Sequence, residues 1–467
     1  MRLMLPTLLL FLWSINGSAD GHTESSKINA NNLSDMVKVM ASDEFEGRAP
    51  GTPGEDKTVA YLIAQMEKIG LTPGGAEGSW TQAVPMMRSE VRPSAKMSFA
   101  NADTVLTLSQ GASVSVDTAT ARTNIVAANV PVVFVGFGAN APEQDWDDYG
   151  EIDLTGKLAI FLVNDPDFAA EPQEAVAGRF GNRRMTYYGR WTYKFEEAAR
   201  RGAFGALVIH ETEAAGYDWS VAAAGAGENV SLANKDLKAL PVALQGWLHN
   251  DAARELLAAA GHDLDALSNA ARQPEFEAFE LEGIRFDADL EVDITTFDSQ
   301  NVLGLLPGNE RPNEIIMASA HWDAYGVGAP DEQGRTVRAG ANDDALGSAG
   351  ILELARVIKA QPAMARSVVF AFWTAEEAGL VGSMAYAADP IFPIEKTVAN
   401  FTLDILQTAG AAKDVILVGK GQSELEDSLA RVAEAAGRYV TEENLPENGL
   451  FYRADHFSMA RVGVPVL

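Results

Sequence analysis

The sequence predicts an α/β fold: a mixed, largely parallel sheet flanked by helices, with a smaller β-rich domain inserted into it. After Phe286, apolar runs with the length of buried strands alternate with helical patterns, as in a parallel sheet. Between residues 110 and 285 the chain instead reads as short strands separated by turns. We therefore expect the α/β domain at residues 28–109 and 286–467, and the insertion at residues 110–285.

Composition excludes several classes of protein. The 467 residues contain no cysteine, so disulfides, thiolate ligands and a catalytic thiol are ruled out. The 65 acidic residues outnumber the 36 basic ones and give a formal charge of −29, which argues against nucleic acid or an anionic membrane as a partner. We interpret this charge as keeping the protein soluble outside the cytoplasm. Electrostatic steering of a cationic substrate is the less favoured alternative.

The first 19 residues have the organisation of a secretory signal peptide. Arg2 is followed by an almost uninterrupted apolar run, residues 4–13, and then by small residues up to Ala19. We expect cleavage near Ala19 and a mature protein that is secreted or periplasmic, without membrane contact. The alternative is an uncleaved anchor, but the run is shorter than the ~20 residues that span a bilayer.

Two amphipathic helices are predicted in the first part of the α/β domain, at residues 31–40 and 58–69. The stretch between them, residues 42–54, is rich in glycine and proline and predicts a shaped loop. This loop either edges the functional site or only connects the two helices.

The insertion is predicted to contain strands at 131–138 and 158–164, a helix at 192–201, and a buried strand that ends at His210. It holds no convergent set of ligands or nucleophiles. His210 is isolated, and we interpret it as structural rather than as a ligand. Aromatic residues cluster here, which indicates packing, with a substrate-facing wall as the alternative: Tyr187, Tyr188, Trp191, Tyr193, Tyr217 and Trp219.

The segment after Phe286 carries most of the predicted strands. They lie at 290–296, 301–306, 315–320, 367–373, 398–406 and 414–418, with helices through 351–358 and 423–436. The sequence ends in an apolar run, residues 462–467. Because natural chains rarely stop inside a strand without a polar tail, we expect the natural chain to continue.

An imidazole and several carboxylates stand where these strands should end or turn. Because the carboxyl ends of parallel strands meet at one edge of a sheet, such side chains can converge on one point, as a hydrolytic metal site requires. Each of these signals is weak by itself; for example, an acidic pair at a turn usually caps a helix. The combined order and placement predict the site. The residues are His321, Asp323, Asp343, Asp344, Glu376, Glu377 and Asp404.

Five motifs carry a resemblance to a known family. They are His321-Trp322-Asp323, Gly340-Ala341-Asn342-Asp343-Asp344, Thr374-Ala375-Glu376-Glu377-Ala378-Gly379, Leu403-Asp404, and Arg453-Ala454-Asp455-His456-Phe457 followed by Gly463-Val464-Pro465. In these motifs the sequence resembles the co-catalytic zinc aminopeptidases, a family related to glutamate carboxypeptidase and the transferrin receptor. The resemblance covers nearly the whole mature chain. It implies a zinc exopeptidase fold in which 110–285 is a protease-associated domain and 286–467 is a catalytic domain incomplete at its carboxyl end.

The resemblance also implies two zinc ions per subunit and a peptide substrate. His321 and Asp404 would hold one zinc, Glu377 would hold the other, and Asp343 would bridge them.

Two further roles and one backbone feature come with the same resemblance. Glu376 would be the general base that takes a proton from water and returns it to the leaving amine. Asp323 would hydrogen-bond the far nitrogen of His321 and set its orientation. The peptide bond between Asp343 and Asp344 would be cis.

The resemblance places the last zinc histidine beyond residue 467. Chemistry alone would nominate His456 as that ligand. However, His456 and Asp455 match a family position beside the substrate pocket, and Arg453 is a further candidate for substrate contact. A chain that stopped at residue 467 would leave the zinc of Glu377 without its imidazole.

The predicted function is an exported aminopeptidase that releases N-terminal amino acids from peptides. Three alternatives stay open: a carboxypeptidase, a glutaminyl-cyclase-like acyltransferase on the same sheet, and a binding protein that has lost catalysis. A carboxypeptidase needs a basic pocket for the substrate carboxylate, and no arginine cluster beyond Arg453 is evident in the sequence. An inactive binding protein should have lost Glu376 or the ligands, which are present.

Overall fold

The structure, a computed structural model, describes residues 27–233 and 241–467. The predicted signal peptide, residues 1–19, lies outside the described residues. Within the two described ranges, no helix combines the length and the hydropathy needed to cross a bilayer.

The described residues form the following helices and strands, in chain order. The helices are α1 (Ala30–Met40), α2 (Pro53–Ile69), α3 (Trp191–Arg200), α4 (Thr212–Ala215), α5 (Trp219–Ala224), α6 (Asn250–Ala259), α7 (Leu264–Ala270), α8 (Leu346–Lys359), α9 (Val381–Ala388), α10 (Leu425–Ala435) and α11 (His456–Ala460). The strands are β1 (Thr72–Pro73), β2 (Thr81–Val91), β3 (Lys96–Ala100), β4 (Val105–Leu108), β5 (Val114–Asp117), β6 (Asn124–Gly136), β7 (Asn140–Ala141), β8 (Trp146–Asp147), β9 (Leu158–Leu162), β10 (Gly205–Ile209), β11 (Glu228–Leu232), β12 (Leu244–Leu248), β13 (Phe279–Leu306), β14 (Arg311–His321), β15 (Gly326–Val327), β16 (Val337–Arg338), β17 (Arg366–Trp373), β18 (Thr397–Thr402), β19 (Asp414–Leu417) and β20 (Tyr439–Glu442).

The main sheet is mixed, and its carboxy-terminal part holds the three strands that matter for the site. Strand β14 lies between β17 and β18 and is parallel to both, while β17 is antiparallel to β13. The first half of β13 pairs with β6 in the antiparallel sense, and the order continues through the parallel strands β9, β10 and β12 to the antiparallel β5. The predicted α/β class with a mixed sheet and flanking helices is confirmed.

The central strands are apolar on both faces because each face is covered. Along β14, Ile315 and Met317 pack on one side, and Ala318 and Ala320 pack on the other. Helices α1, α2 and α8 contribute to the core on the Ala318 side, and α9 and α11 contribute to the core on the Met317 side. This two-sided burial holds β14 and β17 rigidly beneath the residues that follow them.

Two predicted boundaries differ from the structure. Helix α2 begins at Pro53 instead of residue 58, because a proline in the first turn loses no hydrogen bond there. The strands predicted at 290–296 and 301–306 are one strand, β13, since β2 pairs with it through the polar residues between them. The predicted domain boundary at residues 285 and 286 therefore falls inside β13.

The strand predicted at 398–406 ends earlier, at Thr402. Leu403 still packs in the core shared with α8, so the apolar pattern continues although the chain has left the regular strand. Ile405 then adopts a φ of 47° and is 60% exposed. The expected terminal strand at 462–467 is reduced to a single bridge between Val466 and Asn400 of β18.

Candidate metal centre

The carboxyl ends of β14, β17 and β18 bring the predicted site residues to one edge of the sheet. Strand β14 ends at His321, and the turn after β17 carries Glu376 and Glu377. Asp404 follows β18, and Asp343 lies in the turn that precedes α8. The convergence predicted from parallel strands is therefore present in the fold.

Three side chains offer ligand atoms to a single point. One atom each from His321, Asp343 and Asp404 lies within 4.8 Å of the others. His321 Nε2 is 3.0 Å from Asp343 Oδ1 and 3.9 Å from Asp404 Oδ1. An imidazole and two carboxylates form a donor set that suits zinc.

Glu376 and Glu377 border this group. Glu376 Oε2 lies 3.9 Å from His321 Nε2. Glu377 Oε1 is buried without a hydrogen-bond partner in the described part of the chain, and the Tyr325 hydroxyl interacts with the same carboxylate. A buried carboxylate oxygen without a donor is what a cation ligand looks like before the cation binds. The ligand role of Glu377 stays a prediction, because its oxygens are outside the group of three.

Asp323 ties His321 to the turn that carries the two glutamates. Its carboxylate accepts hydrogen bonds from the backbone N–H groups of Glu376, at 3.0 Å, and Glu377, at 3.3 Å. Asp323 Oδ1 is also 3.5 Å from His321 Nδ1, and the same ring nitrogen is 3.2 Å from the Asp323 carbonyl oxygen. Asp323 can therefore position both the histidine and the base.

The two aspartates before α8, Asp343 and Asp344, make different contacts. The Asp343-Asp344 peptide bond is cis, as the family resemblance implied. Asp343 contacts His321 Nε2, whereas Asp344 accepts hydrogen bonds from the backbone N–H groups of Gly347, at 2.8 Å, and His321, at 3.3 Å. Asp344 thus accepts a backbone N–H of the first turn of α8, and Asp343 is the member of the pair that contacts His321 Nε2.

The electrostatics of the centre suit the binding of a cation. Burial raises the pKa of Glu376 to about 10 and that of Glu377 to about 7, with a further rise from neighbouring carboxylates. Burial lowers the pKa of His321, but Asp323, Asp343 and Asp404 outweigh it and hold that pKa well above its ordinary value. A divalent cation would stabilise the ionised carboxylates and reverse these shifts.

Arg48 supports the site through hydrogen bonds to the backbone beside it. No pattern in the sequence singled out this residue. Its side chain is fully buried and its guanidinium donates to four carbonyl oxygens on three segments. The loop at 42–54, for which two interpretations were open, therefore borders the site. The acceptors are the carbonyls of Met40, Trp322, Ala339 and Gly340.

A cavity of about 1670 Å³ lies in front of the centre. Asp343, Glu376 and Asp404 line one side, and aromatic residues of the insertion, including Tyr187 and Trp191, line another. Some of the clustered aromatic residues therefore face the cavity. His210 is buried and its ring contacts the Tyr217 carbonyl at 3.1 Å, as a structural histidine should.

The three predicted substrate-pocket residues lie at this cavity. Arg453 and His456 line it, and Asp455 is buried beside them. The His456 ring packs on Phe451, with centroids 4.9 Å apart, and burial lowers the His456 pKa to about 4. His456 is outside the group of three candidate ligands, which agrees with a pocket position.

No arginine cluster beyond Arg453 is evident in the sequence, but the fold brings a second arginine to the same cavity. Arg190, from the insertion, lines the same cavity, and its pKa is lowered to about 10 by burial and by the charge of Arg453. The two residues are far apart in the sequence, so only the folded chain shows that they are neighbours.

Comparison with known proteins relates this site to a peptidase family. Residues 301–467 match the profile described as Peptidase family M28. Aminopeptidase NAALADL1 of Rattus norvegicus is 31% identical over 139 residues, which is 27% of this chain and 17% of that protein. Aminopeptidase YwaD of Bacillus subtilis (strain 168) is 32% identical over 118 residues, which is 25% of this chain and 23% of that protein. The matched part thus spans less than a quarter of either relative.

The fold itself is similar to a solved structure over most of its length. The aminopeptidase from Aneurinibacillus sp. strain AM-1 superposes on 95% of this chain and 85% of its own, with a TM-score of 0.51 and 20% sequence identity. The segment 301–467, which holds His321, Asp343, Asp404 and both glutamates, is therefore similar in sequence to the M28 peptidases, and the chain shares its fold with this solved structure.

Proposed function

We propose that the protein is an exported metallo-aminopeptidase that acts on peptides with two zinc ions. The observation that carries this proposal is the cluster of His321, Asp343 and Asp404 at the carboxyl edge of the sheet, with Glu376 at 3.9 Å from the histidine. The similarity of residues 301–467 to the M28 peptidases supports the reaction class. The signal-peptide pattern of residues 1–19 supports export.

The residues divide into two sets of zinc ligands. His321 and Asp404 would hold one zinc, Glu377 the other, and Asp343 would lie between them. Glu377 Oε1 has no hydrogen-bond partner among the described residues, which supports its assignment. When bound, a pair of zinc ions polarises the scissile carbonyl and lowers the pKa of the attacking water.

The protein's own side chains supply proton transfer and orientation. Glu376 accepts the proton of the attacking water and returns it to the leaving amine. Asp323 holds the backbone of Glu376 at 3.0 Å and so fixes where that carboxylate can reach. The carboxylates along the cavity favour a substrate whose amino terminus is positively charged.

Peptide hydrolysis with free and blocked amino termini tests the proposal. The full chain is stripped of metal with a chelator and assayed on Leu-Ala-Ala and its N-acetyl form as zinc is added back. We expect zinc-dependent release of leucine from the free peptide only, and loss of that activity in Glu376→Gln. Cleavage that persists on the acetylated peptide would rule out an aminopeptidase, and activity that ignores zinc would rule out the metal.

A further inference from the structure

A carboxylate that is distant in sequence from the metal centre lies at the wall of the same cavity. Asp117 ends β5, and it pairs with Gln245 of the neighbouring strand β12. Asp117 Oδ1 accepts hydrogen bonds from the side-chain amides of Asn229 and Gln245, each at 3.1 Å. All three residues line the cavity that also contains Asp343 and Glu376. The proposed reaction makes no use of this polar cluster.

Asp117 has no cationic partner in the described part of the chain. The side chains that act on its charge are Gln245 and Asn229, and neither is basic. Its second oxygen, Oδ2, accepts no hydrogen bond from the residues that the structure describes and is not enclosed by them, so a group in the cavity can reach it. By contrast, Glu196 lines the same cavity but contacts Arg461 at 3.0 Å. A partly buried carboxylate without a counter-charge costs free energy, which a cation from outside would relieve.

Two further oxygens beside Asp117 lack donors. Asn229 Oδ1 and Ser231 Oγ are buried without a hydrogen-bond partner among the described residues. These two residues are two positions apart on β11, so their side chains leave the same face of the strand. That face is turned toward the carboxylate, because Asn229 donates to Asp117. Ser231 also lines the cavity, so the cluster offers three acceptors in one place.

The wall beside these acceptors is aromatic. Trp247 follows Gln245 by two positions on β12 and therefore lies on the same face of the strand. Trp191 lines the cavity and packs against Trp247, with ring centroids 6.3 Å apart. Such a wall suits the apolar stem of a long side chain whose charged head reaches the carboxylate.

We propose that Asp117, Asn229 and Ser231 form a subsite for the ammonium group of a lysine side chain in the peptide substrate. An ammonium group has three N–H donors and no acceptor, which matches one carboxylate oxygen, one amide oxygen and one hydroxyl. The planar fork of an arginine side chain matches this set less well. The proposal deepens the proposed aminopeptidase function and rests on it, because it names the kind of peptide that the site accepts.

The packing of β11 places this lysine on the carboxyl side of the scissile bond. Val230 and Leu232 leave the opposite face of β11 and pack in one core with Ala375, the residue before Glu376. The subsite is therefore about one strand and its side chains away from the base, on the order of 10–15 Å. An aminopeptidase holds the amino terminus of its substrate at the metal, and an extended peptide advances about 3.3 Å per residue. The lysine thus follows the scissile bond by a few residues.

A set of hexapeptides tests the subsite. Each is Leu-Ala-Ala-Ala-Ala-Ala with lysine, or its uncharged analogue norleucine, at one of the positions after leucine. The assays run at pH 8, because burial raises the pKa of Asp117 to about 7 and the carboxyl is mostly ionised above it. We expect one position at which lysine lowers KM about 10- to 100-fold relative to norleucine, which is the gain from one charge-assisted hydrogen bond, with kcat changed less than about threefold.

Three variants separate the subsite from a general attraction of cations. Asp117→Asn should abolish the preference for lysine, and Ser231→Ala should reduce it by about 2- to 10-fold, the effect of one uncharged acceptor. Glu196→Gln removes a paired carboxylate of the same cavity and is the matched control, which should keep the preference. The proposal is overturned if no position prefers lysine, if Glu196→Gln loses the preference as fully as Asp117→Asn, or if Ser231→Ala keeps it in full.

Binding without turnover distinguishes failure of the subsite from failure of the proposed function. Metal-free wild-type protein is titrated by calorimetry with each lysine hexapeptide and its norleucine counterpart. We expect one lysine peptide to bind about 10- to 100-fold more tightly than its counterpart, and Asp117→Asn to bind the two alike. Equal binding of every pair by the wild type overturns the subsite. Lysine-selective binding without zinc-dependent turnover would instead reject the aminopeptidase function.

Discussion

Replacement of Arg48 by methionine should lower the free energy of unfolding and also weaken zinc binding at the metal centre. Arg48 donates at 2.7–2.8 Å to four carbonyl oxygens, two of which belong to Ala339 and Gly340 beside the acidic turn. Each charge-assisted hydrogen bond contributes about 1.5–3 kcal/mol, but these contributions are not additive. Removal of one partner from a buried charged network costs about 3–5 kcal/mol, and we expect a loss of that size in the free energy of unfolding.

Urea unfolding of the metal-free protein measures this loss, and zinc titration measures the effect on the centre. Arg48→Lys keeps the charge and three donors, so it should lose less stability, about 1–3 kcal/mol. Arg92→Met is the matched control, because Arg92 is half-exposed and pairs with Asp293 on the surface, where solvent screens the ion pair and its loss should leave stability nearly unchanged. An Arg48→Met protein within 1 kcal/mol of the wild type, with unchanged zinc affinity, would refute the supporting role of Arg48.

The remaining predictions concern the ligands, the base and a cavity carboxyl. His321→Ala should weaken zinc binding more than about 100-fold by calorimetry, since even indirect supports of ligands cost 10- to 100-fold. Glu376→Gln should lower kcat by about 10²- to 10⁴-fold while zinc affinity stays within a few-fold of the wild type. Asp117→Asn should change how stability depends on pH, because burial raises the Asp117 pKa to about 7. Between about pH 4 and 7 the folded protein binds more protons at Asp117 than the unfolded chain does, so the free energy of unfolding of the wild type falls as pH rises. This group contributes about 2–4 kcal/mol to that fall. Asp117→Asn should remove this contribution.

Each of these predictions has a contrary outcome. Zinc binding unchanged in His321→Ala would remove the histidine from the ligand set. Substantial kcat in Glu376→Gln would assign the base to another group. For Asp117 the hydrogen bonds from Asn229 and Gln245 can persist to the asparagine oxygen, so an unchanged slope of stability against pH would show that Asp117 titrates normally.

The strand ends that carry the site could be predicted because their signals are local. The apolar run before His321 and the run before Glu376 both stop at a polar residue where the sheet ends. Their parallel pairing then brings these residues together without further information. The predicted end of β18 is wrong for the same local reason, since Leu403 still packs against the core after the strand has ended.

The supporting arginines could not be predicted, because their environment is assembled from distant segments. Arg48 reaches the Trp322 carbonyl across 274 residues of sequence. Arg190 lies in a block without ligands or nucleophiles, and only the fold shows that it meets Arg453 at the cavity. The sequence offers only a glycine-rich loop, equally compatible with a plain connection between helices, and an aromatic cluster, for which packing is the preferred interpretation.

A crystal structure with zinc, phased on the anomalous scattering of the metal, tests the central claim most directly. We expect two peaks about 3.5–4 Å apart, one within about 2.2 Å of His321 Nε2 and Asp404, the other beside Glu377, with Asp343 between them. Zinc bound elsewhere, with His321, Asp343 and Asp404 contacting none, would contradict it.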